Sequence, residues 1–380
     1  MSPELASDPR VMAALEAAVA AGEVGVQVAA YLDGELVVDA WIGGFGPGDD
    51  RQVDGDTLFS VFSITKIVTA TAAHLQVQRG LLDYDRPVAE TWPEFGAHGK
   101  DGVTLGHVLA HRSGVPQVPH DVTVDRLGDW DWMAGHIAGL EPVAPPDTMN
   151  AYSPIAFGWL VGELVRRTDP EGRSYVDFVR QEVLAPLGLD DFHIGLPKSE
   201  WSRRSPLVGD EPASFPDGSL VRRSSPPQLP FGPSLYNDPR ALSSILPSAG
   251  GVATARATAR LLSLYAQRGV VDGTRILTDE TIDRCLTARP PDVDQTYGVV
   301  MPVGLGALWQ IAPGVSKAHG GPLLDGILSH TGAGGTVAWA EPDTGLSVAI
   351  LHNRMFHGPQ PVAPFGEIGD AVHAVVADLR

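Results

Sequence analysis

Lysine is almost absent from this chain of 380 residues. Only Lys66, Lys100, Lys198 and Lys317 are lysines, which leaves 23 of the 27 basic residues as arginine. A charge that merely sits in solvent is written here as arginine, so a lysine inside the apolar stretch FSITKIV (62–68) needs another explanation. Burial can lower a lysine pKa until the side chain is a neutral amine able to take a proton, and arginine cannot do this. Cysteine is scarcer still. The single Cys285 excludes an internal disulfide and a cysteine-based zinc site, and its helix-like setting, ILTDETIDRCLTA (276–288), reads as inert packing.

Positive charge as a whole is outweighed. A net charge of −19 and a pI near 4.9 exclude a nucleic-acid surface or an anionic membrane as partner, because phosphate binding needs basic patches. No stretch reaches about 18 uncharged apolar residues, so no membrane span is expected. The N-terminal segment reads as an amphipathic helix capped near Ser7-Asp8, with Pro9 in its first turn and an end around Gly22. Glu16 interrupts the apolar region that a signal peptide would require, and a cytoplasmic location is expected.

What is present is a globular composition, 43% hydrophobic and 19% charged, long enough for a substantial core. Two β-type runs joined by Asp33-Gly34 predict a hairpin near the start, and GTVAWAEPDTGLSVAILHN (335–353) predicts another near the end. Hairpins at opposite ends of the chain imply one antiparallel sheet closed by the termini. Helical patterns fill the interval, at 64–79, 105–111, 155–167, 175–187 and 255–267, and a last helix is expected at 366–379. The expected architecture is α/β of the α+β kind in one catalytic unit over 1–380. Approximately 1–75 and 320–380 form the sheet subdomain, and approximately 76–319 the helical one. The Pro-rich tracts 205–240 and 142–150 are long for connections and are candidates for walls of a cleft.

Three short stretches could carry chemistry. Ser63 and Lys66 lie three residues apart and share a helix face, with Ser63 in the first turn, where the helix N-terminus favours developing negative charge. That suits an acyl-transfer nucleophile beside a base. Serine precedes a lysine by three positions roughly one time in fifteen, so the spacing alone does not decide the matter. Tyr152 stands before Ser153, a potential cap, and Pro154, which suits a first helical turn; its phenol can project from a helix mouth, or simply pack there. Ser329-His-Thr-Gly-Ala-Gly-Gly335 places small residues where a backbone can approach a ligand and offer a second oxyanion donor, or form only a glycine bulge.

Other chemistries lack their signatures. There is no complete G-x-S-x-G elbow and no phosphate-cradling glycine loop. His107 and His111 are four apart, but no acidic partner completes a metal site. No metal or cofactor is expected.

Taken together, the order S-x-x-K, Tyr, H-T-G resembles the serine β-lactamase and penicillin-binding-protein superfamily, and more narrowly the family VIII carboxylesterases related to class C β-lactamases. The likeness extends through DGELVVDAWIGG, TLFSVFSITK, RGLLDYDRPVAETWPEF, VTLGHVLAHRSGVP, YSPIAFGWLVGELVRR, SAGGVATARATARL and HTGAGGTVAWAEPDTGLSVAILHN, which together span nearly the whole chain. It implies a β-lactamase-like fold with Ser63 as acylated nucleophile and Lys66 with Tyr152 as the proton-handling pair. It further implies an oxyanion hole from the backbone N–H groups of Ser63 and Ala333, and a substrate-binding strand at His330, Thr331 and Gly332. The chain departs from the pattern in two places. Pro154 replaces the asparagine of Tyr-x-Asn, and His330 replaces the lysine of K-T-G. Both changes weaken the case for a carboxylate-bearing β-lactam or D-peptide and favour a small-molecule ester. The resemblance leaves open an acyltransferase or an amide or β-lactam hydrolase using the same groups, and an inactive binding domain.

Overall fold

The computed structural model describes residues 8–212, 215–287, 292–301, 303–305, 309–311, 327–355 and 365–380. Its centre is a seven-stranded antiparallel sheet. The spatial order is Trp309–Ile311, Ile327–Thr331, Val337–Glu341, Leu346–His352, Gly25–Leu32, Glu35–Gly46 and Asp49–Gln52. The two predicted hairpins are neighbours in this order, with Val26 opposite His352 and Leu32 opposite Leu346. The first hairpin turns at Asp33 and Gly34, both at positive φ (50° and 89°), as a two-residue turn between twisted strands requires.

Side chains alternate between the two faces of the central strands. Val26, Val28, Ala30, Val337, Trp339, Val348 and Ile350 pack against the N-terminal helix Pro9–Ala20 and the C-terminal helix Phe365–Asp378, which lie against each other. The opposite face carries Ala29, Ala338, Ala340 and Ala349 and is covered by the helix Ala255–Ala266. Small side chains there let that helix approach closely. Because both faces are covered, Leu346–His352 is buried throughout and reads in sequence as a mostly apolar run, interrupted only by Ser347 and ended by His352. The helix Ala255–Ala266 and the strand Trp309–Ile311 come from within 76–319, the range expected to be helical, yet belong with the sheet.

The predicted caps hold with small shifts. Asp8 accepts from Arg10 N–H at 2.9 Å at the start of the first helix, while Ser7 lies outside the described residues. Thr254 caps Ala255–Ala266. The helix expected at 175–187 is α-helical over Tyr175–Val179 and continues as a wider π turn at Arg180–Leu184.

The helix Thr65–Gln78 is buried from Thr65 through Gln76 and packs on the helix Ala156–Thr168. Its polar side chains are paired inside the protein: Thr71 with the Tyr265 hydroxyl at 2.8 Å, Thr69 with that of Tyr175 at 2.6 Å, and His74 with that of Tyr84 at 2.7 Å. At its start a second, three-stranded sheet (Phe59–Phe62, Gly251–Ala253, Phe192–Ile194) delivers the chain to Ser63.

Candidate active site

Ser63 occupies the turn between the strand Phe59–Phe62 and the helix Thr65–Gln78. The residue before it, Phe62, has φ of 48°, a conformation that bulky residues avoid and that the surrounding packing must enforce. Tyr236 supplies part of that packing, edge-on to the Phe62 ring at 4.7 Å.

Lys66 is completely buried. Its Nζ lies 3.0 Å from Ser63 Oγ, 2.8 Å from the carbonyl oxygen of Pro154 and 3.1 Å from that of Ser248. Burial pushes its pKa well below the usual 10.5. These three contacts suit both protonation states. An ammonium donates to all three oxygens; a neutral amine donates to the two carbonyls and turns its lone pair to the Ser63 hydroxyl. A proton can therefore pass from Oγ to Nζ with no rearrangement of heavy atoms.

Tyr152 is buried beside this pair, its ring centroid 5.1 Å from Lys66 Nζ. Burial raises its pKa well above 10, and a hydrogen bond with Ser63 opposes that shift. The phenol is thus protonated at neutral pH. The helix expected to start at Ser153 and Pro154 begins at Ala156 with Ile155 at its cap position, so Pro154 stays outside it with its carbonyl free for Lys66; Ser153 Oγ still accepts from Phe157 N–H at 2.9 Å.

His111 was not expected here. Its backbone turns at φ 55°, and its ring lies 4.5 Å from that of Tyr152. Its Nδ1 accepts from Ser153 N–H at 3.1 Å, which puts the proton of the neutral ring on Nε2. His107 faces elsewhere, accepting from Thr104 N–H through Nδ1 at a helix start, so the two histidines share no site. The pairing of His111 with Tyr152 carries no spacing signal in the sequence.

His330 closes the cluster from the sheet, fully buried, its ring 6.4 Å from that of Tyr152. Nδ1 donates to Thr331 O at 2.7 Å. Burial, reinforced by the neighbouring Lys66, lowers its pKa to about 3, so it is neutral at neutral pH. Beyond the half-buried Thr331, Gly332 packs directly on the strand that leads to Ser63. A Cβ there would meet Val61 O at 3.0 Å and Phe62 Cβ at 3.1 Å, so any larger residue would have to push these neighbours apart by a few tenths of an ångström. Ala333 follows in a tight turn closed by Gly332 N–H to Thr336 O at 2.7 Å, not within the strand itself.

A cavity of about 220 Å³ opens beside Ala333 and Gly334. The Pro-rich tract forms most of its wall, with Pro226, Pro227, Leu229 and Phe231 facing Tyr297 and Met355. Among the described residues its one charged lining residue, Arg222, is paired with Asp217 at 2.9 Å.

The sequence profile of the Beta-lactamase family matches residues 12–371. The chain belongs to the Beta-lactamase family. Esterase/beta-lactamase LipL of Mycobacterium tuberculosis is 31% identical over 345 residues, which cover 87% of this chain and 77% of LipL. The crystal structure of a family VIII carboxylesterase superposes with a TM-score of 0.87 at 28% identity, covering 98% of both chains. A penicillin-binding protein homologue from Caulobacter crescentus gives 0.83 at 30% identity, over 97% of this chain and 98% of its own. The expected β-lactamase-like fold, an antiparallel sheet from both chain ends flanked by helices, is the fold observed. Within this family fold, Ser63, Lys66, Tyr152 and His330 gather around one point although they are distant in sequence.

Proposed function

We propose that the protein is a serine carboxylesterase that hydrolyses small to medium acyl esters through an acyl-Ser63 intermediate. The observation that carries this reading is the buried Lys66 amine, held by two carbonyl oxygens with its remaining valence facing Ser63 Oγ. Ser63 Oγ attacks the ester carbonyl while its proton passes to the Lys66–Tyr152 pair, which titrates as a unit. The backbone N–H groups of Ser63 and Ala333 receive the developing oxyanion. The pair returns the proton to the departing alcohol. Water then gives a proton to the same pair and attacks the acyl carbon, and the pair returns that proton to Ser63 Oγ as the carboxylic acid leaves.

The cleft in this reading lies between a sheet part built around 1–75 and 320–380 and a helical part within 76–319. Lys66 draws its two carbonyl partners from Pro154 and Ser248 of the latter range. The apolar cavity beside Ala333 takes a neutral hydrocarbon group in preference to a carboxylate, and the likeness to a family VIII carboxylesterase supports the same substrate class. With Pro154 in place of a side-chain amide and His330 neutral, β-lactam turnover is expected to be slow.

The test is hydrolysis of p-nitrophenyl butyrate by wild type, Ser63→Ala and Tyr152→Phe, with a primary alcohol added in parallel. The reading predicts turnover by wild type only. Transesterified product would assign an acyltransferase on the same acyl-enzyme. No turnover by wild type, and no adduct with a serine-directed phosphonate, would leave an inactive binding domain.

A further inference from the structure

Tyr152 belongs to no helix or strand, yet the proposed chemistry needs its phenol held on Ser63. Both of its main-chain polar groups are satisfied from one turn some 140 residues later in the chain. Tyr152 N–H donates to Asp294 Oδ2, and Thr296 Oγ1 donates to Tyr152 O at 2.8 Å. The turn is rigid in itself. Asp294 Oδ1 accepts from Thr296 N–H at 3.1 Å and from Tyr297 N–H at 2.8 Å, and Asp294 O accepts from Gly298 N–H at 2.8 Å. It is also sewn to the segment before Tyr152: Gln295 N–H donates to Asn150 O at 2.8 Å, and Asn150 Nδ2 donates to Met301 O at 3.2 Å. Asp294 is 1% exposed, a costly place for a carboxylate unless it has work to do.

We propose that Asp294 and Thr296 are positioning residues for Tyr152: one D-x-T turn grips both sides of its backbone and fixes the phenol against Ser63. The proposal rests on the reading of Tyr152 as part of the proton-handling pair. Neither residue reaches the reacting atoms. They act through the tyrosine, whose ring is flanked by His111 at 4.5 Å and Tyr297 at 5.8 Å. Removing the grip on the carbonyl leaves the ring in its slot but frees the backbone to tilt it. A misplacement of about 1 Å costs on the order of a hundredfold in rate.

The decisive variants are Thr296→Val, which keeps shape and loses the donor, and Thr296→Ser, which restores it. With p-nitrophenyl butyrate, Thr296→Val should lower kcat at least tenfold with KM changed less than threefold, and Thr296→Ser should recover most of the loss. Asp294→Asn should lower kcat and also move the alkaline limb of the pH–rate profile to lower pH, because a negative charge beside the phenol is gone. The other ionisable groups around Tyr152, namely Lys66, His111, His330, Tyr236 and Tyr297, are unchanged in that variant. Wild-type kcat in Thr296→Val, or a serine variant as impaired as the valine one, would overturn the proposal even if Asp294→Asn failed to fold. Tyr152→Phe separates the two claims. If it kept full turnover, the role of Tyr152 itself would fall; if it lost turnover while Thr296→Val did not, only the positioning turn would.

Discussion

Gly332→Ala adds a single methyl group at the point where the sheet touches the strand feeding Ser63. The new Cβ would lie 3.0 Å from Val61 O and 3.1 Å from both Phe62 Cβ and Cδ2, whereas ordinary contacts of carbon begin at about 3.5 Å. The two chains must therefore separate by about 0.4 Å, and neither side yields easily. Val61 presents backbone, and Phe62 is already held at φ 48° against Tyr236. The shift falls on the Ala333 N–H, the proposed second oxyanion donor. Complete loss of one such donor costs about 10²–10³ in kcat. A misalignment of about 0.4 Å, under half of the ~1 Å that costs about a hundredfold, should cost about fivefold to tenfold, with KM within a factor of three. Steady-state hydrolysis of p-nitrophenyl butyrate would read the effect, with a thermal melt to show that the fold survives. Unchanged kcat in a folded Gly332→Ala variant would refute the claim that this close approach sets the oxyanion site.

Other consequences are as direct. Lys66→Arg should remove nearly all turnover despite keeping the charge, because a guanidinium stays protonated and cannot accept from Ser63; retention of most activity would make Lys66 a structural cation. Burial holds both His74 and His330 neutral, with pKa values lowered from 6.5 to about 3. Above pH 6.5 neither the folded nor the unfolded state protonates them. Between pH 6.5 and 3 only the unfolded chain does, so stability should fall by about 1.4 kcal/mol per pH unit for each. Urea unfolding at pH 7, 6 and 5 should show this slope, and His74→Gln should lessen it; an equal slope in the variant would contradict the assignment. Phe231→Ala enlarges the apolar cavity beside Ala333 and should shift preference among p-nitrophenyl esters toward longer acyl chains, and an unchanged order would place the acyl group elsewhere.

The parts of the site that were legible in sequence are those whose spacing is local. Ser63 and Lys66 lie three residues apart, Ser63 in the turn just before the helix and not, as expected, in its first turn, and His330 to Gly335 lie on one strand and its exit turn, so each announced itself. The hairpins were legible for the same reason, since turn chemistry and alternation are short-range. What closes the site over long separations was not. The two carbonyl oxygens that hold Lys66, from Pro154 and Ser248, leave no trace in residue type. His111 looked like half of an i,i+4 pair, and only its positive φ turns it from His107 toward Tyr152. Asp294 and Thr296 sit in a stretch without apolar periodicity, and their meaning depends on a chain segment some 140 residues earlier. The helix Ala255–Ala266 was foreseen as a helix, but its place on the sheet is set by the small residues Ala338, Ala340 and Ala349 that receive it.

If the proposed chemistry operates, Ser63 carries the acyl group of an ester during turnover. Intact-protein mass spectrometry after rapid mixing with p-nitrophenyl butyrate, followed by peptide mapping, tests it most directly. A transient butyryl adduct on Ser63 that disappears as product forms is expected, and none in Ser63→Ala. Steady ester turnover with no adduct on Ser63, or equal turnover by Ser63→Ala, would contradict it.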